Sequence, residues 1–420
     1  MSLTIDSTQL SREIDELAAI SDAEPPAVTR VVFTPTDLKA RAWLRSRCEA
    51  AGLAVRVDAI GNTFARWKGS EPDAPLIGTG SHIDAIPNAG KYDGVVGVLG
   101  GLEAIRTLQR DGFRPRNSIE LLLLTSEEPT RFGIGCIGSR MLSGGFSPEA
   151  ARKLKDKEGA SIDEVRRQAG MTGELEQVPL AAGYYKAWVE LHIEQGPLLE
   201  RDKVPLGIVT KIAAPASARI TIEGSGGHAG GVVMPDRRDA LCAASELILA
   251  VENAARTTGS IDSVATVGIC DVFPGAVNSI PSRVGLSLDV RDTDLARRDG
   301  VIQQIESASK ELASKRKVSI STELLNADAP ADCAAIVIDA LARSAEKHKI
   351  AAQRMISRAY HDSLLSRASR PWRCFLSRAA MDTAIGRTNT RRQKTSRAAR
   401  SSSPKLSRAS HPDLLSSLFR

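Results

Sequence analysis

The chain has 420 residues, 42% of them hydrophobic and 25% charged, which allows a large core and two domains. Its six cysteines lack C-x-x-C spacing, excluding a disulfide scaffold. The first residues carry no basic-then-apolar leader and no apolar run is long enough to span a bilayer, so a cytoplasmic protein without membrane partners is expected. The net charge of +6 is uneven: Ser366–Arg420 holds 13 Lys or Arg against 2 Asp or Glu, leaving an acidic body of −5 and no general nucleic-acid surface.

Helical spacing predicts helices over 6–20 and 35–52, the second after the start signal Thr34-Pro35-Thr36-Asp37. Residues 54–58 and 63–67 alternate like paired strands, and 76–82 is a strand running into a loop. Asp93-Gly94-Val95 opens a Gly-, Ala- and Leu-rich helix to about residue 108, followed by an apolar strand over 118–125. Residues 143–180 read as charged helices of a surface insertion, and 185–193 as a strand. Strands over 217–223, 263–273 and 283–291, with helices over 236–256 and 296–315, predict an inserted α+β unit before the chain resumes near 326. The expected fold class is α/β, with a mixed, mainly parallel sheet flanked by helices. Cys136, Cys242 and Cys270 each sit among apolar residues and are expected to be buried thiols.

The chemistry clusters at strand ends, where open α/β sheets place it. His82 and Asp84 lie two apart in G-S-H-I-D-A, so His82 can ligate a metal while Asp84 orients its other ring nitrogen; a surface loop is the plainer alternative. Asp93 precedes Gly94, which permits close backbone approach, although Asp also caps helices well. Glu127 and Glu128 follow four leucines, and two carboxylates at a buried strand end need neutralising; one can bind metal while its neighbour acts as base. His192 and Glu194 share a strand face in H-I-E-Q-G-P. Imidazole with carboxylate suits zinc or manganese. In the inserted unit, G-S-G-G-H-A-G holds His228 in a glycine-rich loop, Asn278 offers an amide, and Arg291 offers a fork for a substrate carboxylate or a partner for Asp289 or Asp292.

Together these motifs resemble the M20 dinuclear metallo-amidohydrolases, in the branch of N-carbamoyl-L-amino acid hydrolases, allantoate amidohydrolases and ureidoglycolate amidohydrolases. The resemblance runs from about residue 5 to Leu364, and G-I-V-T-K-I-A-A-P-A-S with M-I-S-R-A-Y-H-D-S-L looks most like the ureidoglycolate enzymes. It implies a catalytic domain over 1–209 and 327–365, with a lid and dimerisation domain over 210–326. It implies His82, Asp93, Glu128 and His192 as ligands of two divalent ions (zinc or manganese, with cobalt or nickel as alternatives), Asp93 bridging. Glu127 would be the general base, Asp84 the residue behind His82, and His228 a partner subunit's contribution to steadying the oxyanion. Gln195, Asn278, Arg291 and His361 would line the substrate, a small ureido carboxylate. The expected reaction releases ammonia from a ureido or carbamoyl group; peptide or acyl-amino-acid cleavage is the alternative within the wider family.

The resemblance also implies one more ligand histidine, in a Y-S-H-x-P-E/D-E-Y-A-S-P-E-D segment near the C-terminus, which is absent. Residues 366–420 instead form an Arg- and Ser-rich tail with no strand pattern, and a shifted reading frame accounts for it. With free third bases, Ala379–Asn389 can read R-G-Y-G-Y-S-H-R-P-D-E and Thr390–Thr395 Y-A-S-P-E-D, the histidine straddling Ala384 and Ile385. The tail is therefore expected to be poorly packed and one metal weakly held, down to an inactive relative with only a binding role or none; a genuine basic extension for nucleic acid is the alternative.

Overall fold

The computed structural model describes residues 3–363 and 373–378. The chain divides into two units, one of Met1–Thr210, Asp332–Met355 and the chain from His361, the other of Lys211–Ala331 with Ile356–Tyr360. The inserted unit thus runs to Ala331 rather than to 326, and takes back a short return segment.

The first unit begins with α1 (Ser7–Ala18), β1 (Val28–Arg30), α2 (Pro35–Ala50), β2 (Ala54–Val57), β3 (Thr63–Trp67), β4 (Leu76–Ser81) and β5 (Ala85–Ala89). It continues through α3 (Val95–Arg110), β6 (Ile119–Leu123), α4 (Ile137–Leu142), α5 (Pro148–Lys153), α6 (Ile162–Gln168), β7 (Tyr185–Ile193), α7 (Leu198–Asp202) and β8 (Leu206–Ile212). The second unit is built on β9 (Ala214–Glu223), β10 (Gly227–His228), α8 (Ala240–Arg256), β11 (Val264–Phe273), β12 (Ser279–Ile280), β13 (Arg283–Asp292), α9 (Leu295–Arg316) and β14 (Ser319–Ala327). Then come β15 (Ala331–Asp332), α10 (Ala335–Lys347), β16 (Ala352–Ser357) and β17 (Arg373–Arg378).

Local chemistry sets the helix starts. Asp6 accepts from the Gln9 amide at α1, and Thr34 accepts from Asp37 with Pro35 in the first turn of α2. The main sheet has nine strands in the order β15-β8-β17-β7-β4-β6-β3-β2, with β16 against β8. Its centre is parallel, β6 and β7 flanking β4, while β3 runs antiparallel to β6. The fully buried β6 bears out a strand covered on both faces. Helix α3 lies against this centre through glycine: a Cβ on Gly97 would stand 2.3 Å from the Leu191 carbonyl oxygen. Because β4, β6 and β7 are parallel neighbours, their carboxyl ends open onto one edge.

Three expectations need correcting. Residues 143–180 are not a surface insertion: Ala151, Ile162, Val165, Leu175 and Val178 pack into the core with Phe64 and Trp188, so the charges form the outer face of short amphipathic pieces. Cys242 and Cys270 are exposed, unlike Cys136, because apolar neighbours in sequence do not fix which face a residue takes. Residues 373–378, within the tail expected to hold no strand, form β17, parallel to β7 and antiparallel to β8. Backbone pairing asks only for extended chain between two open strands, and the C-F-L run supplies β-formers. The remainder of the out-of-frame reading, including the lost histidine at Ala384 and Ile385, lies outside the described residues.

The second unit carries a four-stranded antiparallel sheet, β11-β13-β9-β14. Ile220, Ile222, Val284, Leu286 and Val290 from its strands pack against Leu247 and Val251 of α8 and Val301 and Ile305 of α9.

Candidate metal centre

Three parallel strands deliver the first unit's site. His82 follows β4, Glu127 and Glu128 follow β6, and His192 lies on β7. Asp93 comes from the turn into α3, where Gly94 rather than Asp93 is the cap residue and no side-chain cap bond forms. The carboxylate is therefore free of capping duty. Gly94 has φ +64°, and a Cβ there would lie 2.5 Å from the His82 ring, so only glycine fits.

His82, Asp93 and His192 present ligand atoms within 4.8 Å of one another, all buried. His82 Nδ1 lies 3.0 Å from the Asp84 carbonyl, and His192 Nδ1 lies 3.0 Å from the Ile193 carbonyl. A ring nitrogen facing a carbonyl must carry the proton, so in each neutral ring Nε2 is left with its lone pair. Both Nε2 atoms turn toward Asp93 Oδ1, at 3.9 Å from His82 and 3.2 Å from His192. Lone pairs facing a carboxylate oxygen require a proton or a cation among them, and this donor set fits a borderline divalent metal. Glu190, His192 and His361 form a second buried group of the same kind, sharing His192. Two candidate positions for divalent ions thus adjoin.

The surrounding carboxylates are crowded. Burial pushes the Asp84 carboxyl up to about 7, with Asp37 adding to the rise. Burial also drives Glu127 well above the usual carboxylate range, reinforced by Glu128, Asp362, Asp84 and Asp93. Burial holds His82 down to about 4. Burial opposes the charged form of His192 too, but the hydrogen bond and charge of Asp93, joined by Glu190, raise it to about 9. Against its own burial, Asp93 is held well below the ordinary range by His192, His82 and Gln195.

Each expected site residue has a definite place. The Asp84 carbonyl accepts from the His82 ring at 3.0 Å, with the carboxylate 3.7 Å from the same nitrogen; the carboxylate accepts from the Glu127 amide at 3.3 Å and the Glu128 amide at 3.0 Å. Glu127 Oε2 lies 3.6 Å from His82 Nε2, and the Cys136 thiol lies 3.5 Å from Glu127 Oε1. Glu128 belongs to neither metal-competent group. Gln195, at φ 53°, donates to Asp93 Oδ2 at 2.7 Å and so steadies a ligand. His361, expected to meet substrate, stands in the second group, its ring 4.5 Å from that of His192. Glu194 is not part of the site: its oxygens accept from Leu198 and Leu199 at the start of α7. Glu190, not singled out in the sequence, is; the signal was its place two residues before His192, on the same strand face.

In the second unit, His228 is exposed on β10, paired with Ser279 of β12, and the Asn278 carbonyl accepts from Ala229 beside it. Arg291 is engaged bidentately by Asp289 at 2.7 and 3.2 Å, the partner that sequence left open.

Residues 78–387 match the model of the peptidase family M20/M25/M40. A ureidoglycolate hydrolase of Arabidopsis thaliana is 51% identical over 372 residues, covering 86% of this chain and 78% of the relative. The crystal structure of AtUAH in complex with glyoxylate superposes with TM-score 0.86 at 49% identity, covering 90% of each chain. An amidase of the hydantoinase/carbamoylase family from Burkholderia vietnamiensis superposes with TM-score 0.84 at 32% identity, again covering 90% of each. With its parallel-strand metal centre and inserted sheet unit, the chain belongs to peptidase family M20/M25/M40, in the hydantoinase/carbamoylase branch.

Proposed function

We propose that this protein is a metal-dependent amidohydrolase that cleaves a ureido or carbamoyl C–N bond of a small carboxylate substrate with release of ammonia, and that ureidoglycolate is that substrate. The observation that carries this reading is the buried His82–Asp93–His192 group, in a chain 51% identical to a ureidoglycolate hydrolase.

His82, Asp93 and His192 would hold one divalent ion, with His361 beside His192 at a neighbouring position and Glu128 proposed as a further ligand. Such ions supply Lewis acidity, polarising the scissile carbonyl and acidifying water. Glu127 is the base: its carboxylate, made more basic by burial, takes the proton from the attacking water and, as the carboxylic acid, returns it to the leaving nitrogen. The Asp84 carboxylate fixes the backbone of Glu127 and Glu128, so the base is preorganised.

The glycine-rich loop leaves His228 exposed, with no catalytic partner of its own on β10 or β12. This supports its use by a second copy of the chain, in a homodimer formed through residues 210–326, where it would steady the developing oxyanion. Asn278 and Arg291 would bind the substrate carboxylate, Arg291 exchanging Asp289 for it. Among the described residues no helix is long and apolar enough to cross a membrane. That Cys48, Cys136, Cys242, Cys270 and Cys333 form no disulfide among the described residues supports a cytoplasmic setting.

The test is a panel of ureidoglycolate, allantoate and N-carbamoyl-L-amino acids offered to the manganese- or zinc-loaded protein, with ammonia measured. Release from ureidoglycolate above the others is expected. A different preferred member would correct the substrate, and no ammonia from any, in this chain and in one whose tail is read in the restored frame, would defeat the reading.

A further inference from the structure

A buried carboxylate is costly unless its oxygens are satisfied, and Glu190, 0% exposed, is satisfied in an instructive way. Oε1 accepts from the Ser81 hydroxyl at 2.8 Å. Oε2 accepts from the Ser363 amide at 3.0 Å and the Ser363 hydroxyl at 2.6 Å. Trp188 Nε1 donates to Ser363 Oγ at 3.0 Å, which leaves that hydroxyl to donate to Glu190.

The donors are placed beside the histidines. Ser81 directly precedes His82, Ser363 lies two residues after His361, and Glu190 lies two residues before His192 on the same face of β7. Three separate stretches of chain, each carrying one histidine of the metal centre, are therefore tied to one carboxylate. We propose that Glu190 is a positioning residue, which sets the spacing of His82, His192 and His361 through Ser81 and Ser363 and is not itself a metal ligand. Turning either oxygen to a cation would break the Ser81 bond or both Ser363 bonds. The inference rests on the metal-dependent reading above but concerns metal binding alone.

The two roles predict opposite responses to removing the serines. If Glu190 positions the histidines, Ser81→Ala and Ser363→Ala each weaken binding of cobalt or zinc about tenfold, as loss of a group behind a ligand does. Stoichiometry should be unchanged in both, and Glu190→Gln should behave likewise. If Glu190 is a ligand, the serine variants free its carboxylate, so affinity holds or rises, and Glu190→Gln lowers the number of ions bound. Affinity is read by chelator competition with the metal alone, and the thermal midpoint of each metal-free variant is read beside it. Should Glu190→Gln fail to fold, the serine variants decide. Unchanged or tighter affinity in both serine variants overturns the proposal, as does a lowered metal-free midpoint with affinity intact, which would mark a purely structural role. Because no substrate is used, failure here leaves the hydrolase reading standing, and failure of ammonia release leaves this one standing.

Discussion

The metal centre of the first unit and the His228 loop of the second differ in how their chemistry is held. His82, Asp93 and His192 are all under a tenth exposed, and each is fixed by a carbonyl, an amide side chain or a glycine that admits no replacement. His228 is exposed on a two-residue strand, its Nδ1 accepting from the nearby Gly230 amide at 3.1 Å. The buried centre is preorganised at the expense of burying charge, whereas the loop carries one exposed imidazole on a surface that costs little to fold. The first is therefore sensitive to any change in its surroundings. The second should be sensitive only to loss of the group itself.

That contrast can be broken by mutation. Replacing the proposed base, Glu127→Gln, should reduce kcat about 10²–10⁴-fold while metal content stays intact; a loss of metal would make Glu127 a ligand instead. His228→Ala should lower kcat about 10²–10³-fold, the range for one oxyanion donor, with thermal midpoint and metal content unchanged. Metal loss in that variant would contradict its remote role. Gly94→Ala touches neither metal nor substrate, yet its positive φ and the crowding against His82 should cost about 1–3 kcal/mol in unfolding experiments and weaken metal binding. The same substitution at Gly230, where a Cβ would meet only the His228 ring at 3.5 Å, should leave metal binding untouched.

Acidity sharpens the comparison further. Below about 9 the His192 ring holds a proton that must leave before the nitrogen can ligate, so metal affinity should fall about tenfold per pH unit as the solution is acidified. His82, held down to about 4, adds no competing proton near neutrality. The metal-free protein should show the reverse trend. Its protonated His192 beside Asp93 contributes stability that is fully present below the ordinary histidine value of 6.5 and lost as pH rises through about 9. Thermal midpoints with and without metal, across that window, report both.

Much of the centre was legible because the chemistry sits at strand ends, in short polar breaks after apolar runs: His82 after β4, Glu127 after β6, His192 at the end of β7. Asp93 was legible through Gly94. Glu190 was hidden inside the apolar run W-V-E-L-H, where its alternation with His192 was available but Glu194, on the other side, drew the same inference. The two differ only in what lies nearby in space: Ser81 and Ser363 for one, the first turn of α7 for the other. Arg291 shows the same limit, since its pairing with Asp289 follows from facing along β13 and cannot be told from a substrate site by composition. Element types were read well where periodicity was long, as in α2, α3 and α9, and poorly over 143–180, where short helices bury one or two apolar residues each.

Hydrolysis by this chain should depend on metal held in the first unit. The most direct test of that dependence strips the purified chain with a chelator, titrates manganese or zinc back, and follows ammonia from ureidoglycolate. Activity should be absent after stripping and rise with added metal in the parent, and Asp93→Asn should need far more metal for the same rate. Ammonia released at an undiminished rate by the stripped chain, or a parent and Asp93→Asn variant with the same metal dependence, would contradict it.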